Sequence, residues 1–380
     1  MIALVFWAAI ALILFAYVGY PLLIGALGAG RKMVVRKGTT LPRVTILTAA
    51  HNEEKYIAAT IENKLGLDYP RDRLEIFVIS DASTDHTEEI VRSFECRGVR
   101  LLIQNERRGK TAALNLAAKH ATGEVVVFAD ANSIYCPNTL KSLVRNFEDP
   151  RVGYVTGTLV YVDEEGTLIG SGSSAYMKYE NKLRELETMV GSIVGVDGAI
   201  DAVRASLYQP MPEHLQPDFL LPLQVLERGY RVVYEPDAFV YEASLQECGD
   251  EVRMRVRVIL RSLHTMWYMK KLFNPLRFGV FSFQLLVHKV LRYLVGLLQV
   301  IALFTNALIV WDAPVFQLTM AMQLGFYSFA VAGFALARFR RRVSLFYYSY
   351  YLCLLNGASL VALWKFLKGE QRVIWAPRTG

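Results

Sequence analysis

With 380 residues, 53% of them hydrophobic, and a mean hydropathy of +0.27, the chain is too apolar for an ordinary soluble enzyme. Its 20% of charged residues exclude a protein lying mostly within a bilayer, so one soluble domain with several spans fits. The formal charge of +7 suits anionic headgroups or a phosphate-bearing ligand, although Lys and Arg on the cytoplasmic loops of any membrane protein would also produce it.

Residues 1–30 carry no charged side chain and are followed by Arg31, Lys32, Arg36 and Lys37. Without the basic start of a secretory signal, this predicts an uncleaved N-terminal transmembrane helix with its amino end outside. From 41 to 250, strand-like and helix-like segments alternate, which predicts an α/β domain with a mainly parallel sheet flanked by helices. Strands are expected at 43–49, 74–80, 99–104 and 124–129, the second and fourth ending at Asp81 and Asp130. Carboxylates at such strand ends are where open α/β sheets bind charged small molecules. The run Gly170-Ser171-Gly172-Ser173-Ser174 reads as a mobile loop over that site.

Over 251–289, basic and apolar residues alternate with Trp267 and Tyr268 among them, which predicts amphipathic helices lying in the membrane interface or, alternatively, packed on the soluble domain. Three C-terminal transmembrane helices are expected within 290–367, at 293–311, 313–337 and 343–364, before a tail at 368–380. Arg338, Arg340, Arg341 and Arg342 mark a cytoplasmic loop, whereas parity puts Lys365 and Lys368 outside, against the positive-inside bias. The side of the carboxyl terminus therefore stays open. Cys96, Cys136, Cys248 and Cys353 are scattered, as expected of reduced thiols in a cytosol-facing protein.

The succession Ala50-His51-Asn52-Glu53-Glu54, Ser80-Asp81-Ala82-Ser83-Thr84-Asp85, Gly109-Lys110-Thr111, Asp130-Ala131-Asn132, Val196-Asp197-Gly198 and Pro217-Asp218 resembles family 2 glycosyltransferases. Each motif is weak alone; their order and spacing carry the resemblance, over 44–261. It implies a GT-A fold and a nucleotide-sugar donor. The membrane framing is similar to that of processive synthases of the chitin, hyaluronan and cellulose type.

The resemblance also implies roles. Asp218 would be the general base, taking the proton of the acceptor hydroxyl as that oxygen displaces the nucleoside diphosphate, so the product is inverted. Asp130 and Asn132 would hold Mg²⁺ or Mn²⁺ against the diphosphate; the family has Asp at both positions, and an amide oxygen is the weaker ligand. Asp81 and Glu53 would contact the nucleotide, with His51 against the base and Lys110, at a helix amino end, near phosphate. Asp197, Gly198 and Arg204 would border the acceptor sugar. Arg261 would pair with the diphosphate or with lipid phosphates. Local readings stand beside these: Asp218 as a helix N-cap, Asp81 and Asp130 as turn formers, His51 and Lys110 as ordinary side chains.

The chain offers Val258-Ile259-Leu260-Arg261-Ser262 where processive enzymes carry Q-x-x-R-W, and Pro217 replaces the first of an acidic pair. The expected function is an inverting transferase of the cell (inner) membrane, its catalytic domain cytoplasmic, moving sugar from a UDP-sugar to a growing polysaccharide or a lipid-linked acceptor. Single addition to a lipid is the first alternative, and a catalytically dead scaffold or sensor the second. A homo-oligomer would serve polymer export, membrane lipids are expected partners, and nucleic acid is not.

Overall fold

Eight strands join in one sheet, in the order β3-β2-β1-β4-β7-β6-β8-β5, in a computed structural model that describes residues 1–162, 168–243, 248–338 and 344–371. They are β1 (Val44–Ala50), β2 (Leu74–Asp81), β3 (Val99–Gln104), β4 (Val125–Asp130), β5 (Ile134–Tyr135), β6 (Val152–Val162), β7 (Ile200–Arg204) and β8 (Arg231–Ala243). Strands β3, β2, β1 and β4 are parallel, and β1 is buried at every position, as covering by helices on both faces requires. Beyond β4 the sheet turns mixed: β7 runs antiparallel to both β4 and β6, while β8 is parallel to β6. This is the flanked α/β sheet expected from the alternating pattern, with an antiparallel insertion that puts Asp201 of β7 opposite Phe128 of β4.

The register β1–β2–β4 brings Ala49, Ile79 and Asp130 to neighbouring positions, so the exits of β2 and β4 open on the same edge. Two helices begin beside that edge, Lys110–Ala118 and Pro217–Glu227, where Lys110 meets Asp130 and Asp218. Pro217 occupies the first helical position of the second, where a missing N–H costs nothing, and Asp218 falls in its first turn.

The helix Leu168–Val190 includes Gly170 to Ser174, so the run expected as a mobile loop is helical backbone. Extending an existing helix adds one hydrogen bond per residue, which offsets the propensity cost of about 1 kcal/mol per glycine.

Among the described residues, four helices are long and apolar enough to cross a membrane: Ile2–Arg31, Val280–Ile309, Pro314–Leu336 and Phe346–Leu367. One precedes the sheet domain and three follow it, as the charge-free stretches predict. The helix Val280–Ile309 is continuous through a π-helical turn at Leu286–Leu291, so the expected boundary at 289 falls inside it and His288, Lys289 and Arg292 belong to a candidate span. The amphipathic helix Cys248–Tyr268 buries Val256, Ile259 and Leu260 against Ala358 and Ala362 of the last span, leaving Trp267 and Tyr268 exposed.

Candidate active site

The exits of β1 and β2 are locked together by short-range chemistry. Asn52, at φ +55°, accepts the Thr84 N–H on its Oδ1, while the Glu53 N–H donates to Thr87 Oγ1 at 2.8 Å and the Glu54 N–H to Asp85 Oδ2 at 3.1 Å. Thr87 in turn donates to Asp85 Oδ1. Asp and Thr favour such bonds to nearby backbone, which is why this turn-rich run leaves the strand as a defined loop. His51 is buried and its Nδ1 lies 2.8 Å from the Asp81 carbonyl oxygen.

Asp81 is fully buried, and its two carboxylate oxygens accept the N–H groups of Arg108 (2.8 Å) and Gly109 (2.9 Å). That grip fixes the amino end of the helix starting at Lys110. Gly109 sits at φ +92°, a conformation that glycine reaches without steric cost.

Lys110 joins the two strand-exit chemistries. Its Nζ donates to Asp130 Oδ1 at 2.7 Å, lies 3.3 Å from Asp218 Oδ1, and is 3.4 Å from the Gly198 carbonyl. Burial pulls this ammonium down, but the Asp130 and Asp218 carboxylates outweigh it and hold the pKa above the ordinary lysine value. Asp130 and Asp218, 88 residues apart by number, thus meet on one cation. Gly198, at φ +78°, packs so tightly on Asp218 that a Cβ there would lie 2.5 Å from its Cγ.

A cavity of about 700 Å³ opens from this junction toward the membrane helices. Asp130, Asp197 and Asp218 line one end, and Tyr17, Tyr293 and Leu355 the other. Its side wall is the helix Leu168–Val190, where Glu180, Arg184 and Glu187 share a face and are all buried. Arg184 grips both oxygens of Asp197 at 2.5 and 2.6 Å and donates to the Gly195 carbonyl. Glu187 accepts the Val194 N–H and the Tyr20 hydroxyl, and lies 2.7 Å from His288 Nδ1. Glu180 pairs with Arg292 at 2.6 Å and with His288 at 3.1 Å. The loop beside Asp218 is therefore tied, through one helix, to two membrane-length helices.

Of the residues expected from sequence, Asp81, Lys110, Asp130, Gly198 and Asp218 form a connected set, with His51 against Asp81. Glu53 and Asn132 lie nearby on the β1 and β4 exit loops, partly buried. Asp197 is beside Asp218 but has both oxygens taken by Arg184. Arg204 is not brought to the site: it ends β7 opposite Val125, at the entrance of β4, and donates to the carbonyls of Phe147, Asp149 and Val152. Its place as neighbour of the Asp-Gly motif in sequence misleads, because β7 carries it down the length of the sheet. Arg261 is buried and donates to the Leu215 carbonyl at 2.5 Å and to Thr111 Oγ1 at 3.3 Å. Burial pulls its pKa down to about 10, against the opposing pull of Asp218.

Sequence reasoning missed Asp201, Lys64 and the Arg184 helix face. Asp201 Oδ2 accepts the Gly198 N–H at 3.0 Å, and burial, with Asp218 and Asp197 adding to it, raises its pKa to about 7. Lys64 donates to the Ser133 carbonyl at 2.6 Å beneath the β4 exit, and burial pulls it down to about 7 despite Glu242 and Asp130. Spacings of four and three residues between Glu180, Arg184 and Glu187 were the one signal in the chain for a shared helix face.

Residues 45–200 match the model of glycosyl transferase family 2, and residues 125–366 match that of glycosyl transferase family group 2, the latter spanning more than half of the chain. The chain belongs to the family 2 glycosyltransferases. This glycosyltransferase is 27% identical over 223 residues to the poly-β-1,6-N-acetyl-D-glucosamine synthase of Staphylococcus aureus (strain COL), covering 57% of the chain and 54% of the synthase. It is 27% identical over 253 residues to the probable glycosyltransferase YdaM of Bacillus subtilis (strain 168), covering 61% of the chain and 59% of that protein. It spans between half and two thirds of the length of these curated relatives. Among solved structures, a mannosyltransferase from Pyrobaculum calidifontis in complex with GDP-mannose and Mn²⁺ superposes with a TM-score of 0.74 at 25% identity, over 96% of this chain and 99% of the other.

The oxygen donors at the β4 exit of this glycosyltransferase fit a cation shared with substrate. Asp130 has one oxygen on Lys110 and the other without a described partner, and Asn132 follows two residues later. No group of three or more His, Cys, Asp or Glu suited to a metal occurs among the described residues. A hard cation held by one carboxylate, with substrate phosphate oxygens completing its shell, matches this set.

Proposed function

We propose that this glycosyltransferase moves a sugar, with inversion, from a nucleotide-sugar donor to a membrane-associated acceptor, on the cytoplasmic face of a cell (inner) membrane. The observation that carries the reading is the meeting of Asp130 and Asp218 on Lys110 at the mouth of a cavity that runs on among membrane-length helices. Donor phosphates and acceptor hydroxyl would be brought together there.

In this reading Asp218 removes the acceptor hydroxyl proton while that oxygen attacks the anomeric carbon and the sugar–phosphate bond breaks. The nucleoside diphosphate leaves on the opposite face. Lys110 lies within ion-pair distance of both Asp218 and Asp130, so its ammonium would neutralise charge building on the leaving group. A divalent cation, Mg²⁺ or Mn²⁺, would be held by Asp130 and Asn132 and would screen the diphosphate charge. Asp81, His51 and Glu53 frame the nucleoside side, where Asp81 orients the 108–109 backbone. Arg261 reaches diphosphate only by releasing the Leu215 carbonyl.

The donor is a UDP-sugar in this reading, with GDP-mannose entering the test because the solved relative holds it. Purified full-length protein is incubated with membranes and a panel of UDP- and GDP-sugars, and released nucleoside diphosphate is measured. Turnover of one donor, lowered about 10²- to 10⁴-fold by Asp218→Asn with donor binding retained, supports the proposal. Turnover that survives Asp218→Asn, or no turnover of any donor, ends it. Product length separates a polymer ladder from single addition.

A further inference from the structure

We infer that one face of the helix Ile57–Leu65, formed by Thr60, Asn63 and Lys64, is a mould that holds the loop after β4 in its cation-binding shape. The three are positioning residues for Asp130 and Asn132. This rests on the divalent cation of the transferase reading and names the residues on which its affinity depends. The loop leaves the sheet at Asp130 and rejoins it only at β5, which pairs antiparallel with β8. Between those points its backbone needs partners from outside the sheet.

The helix supplies them. Thr60 Oγ1 donates to the Ala131 carbonyl at 2.6 Å, and Lys64 Nζ donates to the Ser133 carbonyl at 2.6 Å. Asn63 clamps the far end of the loop: its Nδ2 donates to the Tyr135 carbonyl at 2.9 Å, and its Oδ1 accepts the Tyr135 N–H at 2.8 Å. Spacings of three and four residues put all three side chains on one side of the helix. Asn132 therefore stands between two carbonyls that the same helix pins.

Thr60 and Lys64 are buried, so the two carbonyls have no water to turn to if these donors are lost. A buried ammonium beneath a cation site would weaken it by repulsion, but here Glu242 opposes that charge and also accepts the Ser133 hydroxyl at 2.7 Å. Lys64 thus fixes the loop without leaving a bare positive charge under it. The arrangement suits Asn132 in particular. An amide oxygen has no charge to draw it onto a cation, so it serves as a ligand only when the backbone has already aimed it.

The test titrates Mn²⁺ into the full chain in neutral detergent with UDP or GDP present, and reads free Mn²⁺ by electron paramagnetic resonance. No sugar donor or acceptor is added, so the answer does not depend on whether any sugar is transferred. Nucleotide affinity in EDTA is measured alongside. Thr60→Val keeps the shape and charge of the helix but loses the donor; it should weaken Mn²⁺ binding about tenfold and leave the metal-free nucleotide affinity unchanged. Thr60→Ser should restore the wild-type value. Lys64→Met should weaken Mn²⁺ binding by about 10- to 100-fold, and should it fail to fold, the Thr60 pair decides alone. Undiminished Mn²⁺ affinity in Thr60→Val overturns the inference. So does an equal fall in metal-free nucleotide affinity, which would mark general damage to the domain, and so does a wild type that binds no Mn²⁺.

Discussion

The two halves of the site, which the proposed function assigns to donor and acceptor, are built by opposite means. On the donor side, loops after β1 and β2 are fastened by local hydrogen bonds between short polar side chains and backbone, such as Glu53 N–H to Thr87 and Thr84 N–H to Asn52. On the acceptor side, the 194–198 loop is held by buried charges, Arg184 on Asp197 and Glu187 on Val194, which continue to His288 and Arg292 in a candidate span. In the proposed function a nucleotide would be bound from water by a frame that needs only local order. A membrane-borne acceptor would be met by a loop whose position depends on where the membrane-length helices sit, which couples helix packing to acceptor geometry.

The largest effect should come from breaking that coupling. Arg184→Met leaves Asp197 buried and unpaired, and should cost about 3–5 kcal/mol in unfolding free energy, measured by denaturant titration of the full chain in detergent. A loss no greater than that of a donor-side hydrogen bond would erase the distinction between the halves. Gly198→Ala drives a methyl group into Asp218 and should lower turnover about 10²-fold, because small displacements of a reacting group cost that much. Turnover at the wild-type level would show that Asp218 does not need its present position. Thr87→Val removes the acceptor of the Glu53 N–H on the donor side and should cost about 1–2 kcal/mol, read as a shift in donor KM and a modest fall in stability.

The smallest effect is one of pH. Asp201 beneath Gly198 has its pKa raised to about 7, above the ~3.9 of an unfolded aspartate. Its contribution to stability is therefore complete below about pH 4 and is lost as pH rises through about 7. Asp201→Asn cannot titrate, so between pH 5 and pH 8 the wild type should lose melting temperature relative to the variant. Parallel melting curves across that range would show Asp201 to be ionised throughout.

How far the chain could be read before its fold was seen differs between the halves in the same way. Asp81 and Asp130 are legible because a strand end is marked within a few residues by its apolar run and its turn formers. Asp218 is legible beside Pro217 only as a helix start. Its meeting with Asp130 on Lys110 is a contact across the sheet that no local pattern encodes. Arg204 and the Gly170 to Ser174 run failed for a related reason: adjacency to a motif, and glycine content, are local cues that strand direction and helix extension override. The boundary drawn at 289 failed because basic residues normally end a span, whereas here Glu180 and Glu187 from another helix supply partners for His288 and Arg292.

The order of amino acids alone determined that an α/β domain with carboxylates at its strand ends is carried among apolar helices, because periodicity, strand-end carboxylates and charge-free length are properties of neighbouring residues. Only the tertiary structure decided which charges find partners. Pairing energies depend on distances between segments far apart in the chain, and those distances exist only once the sheet and the membrane helices have packed.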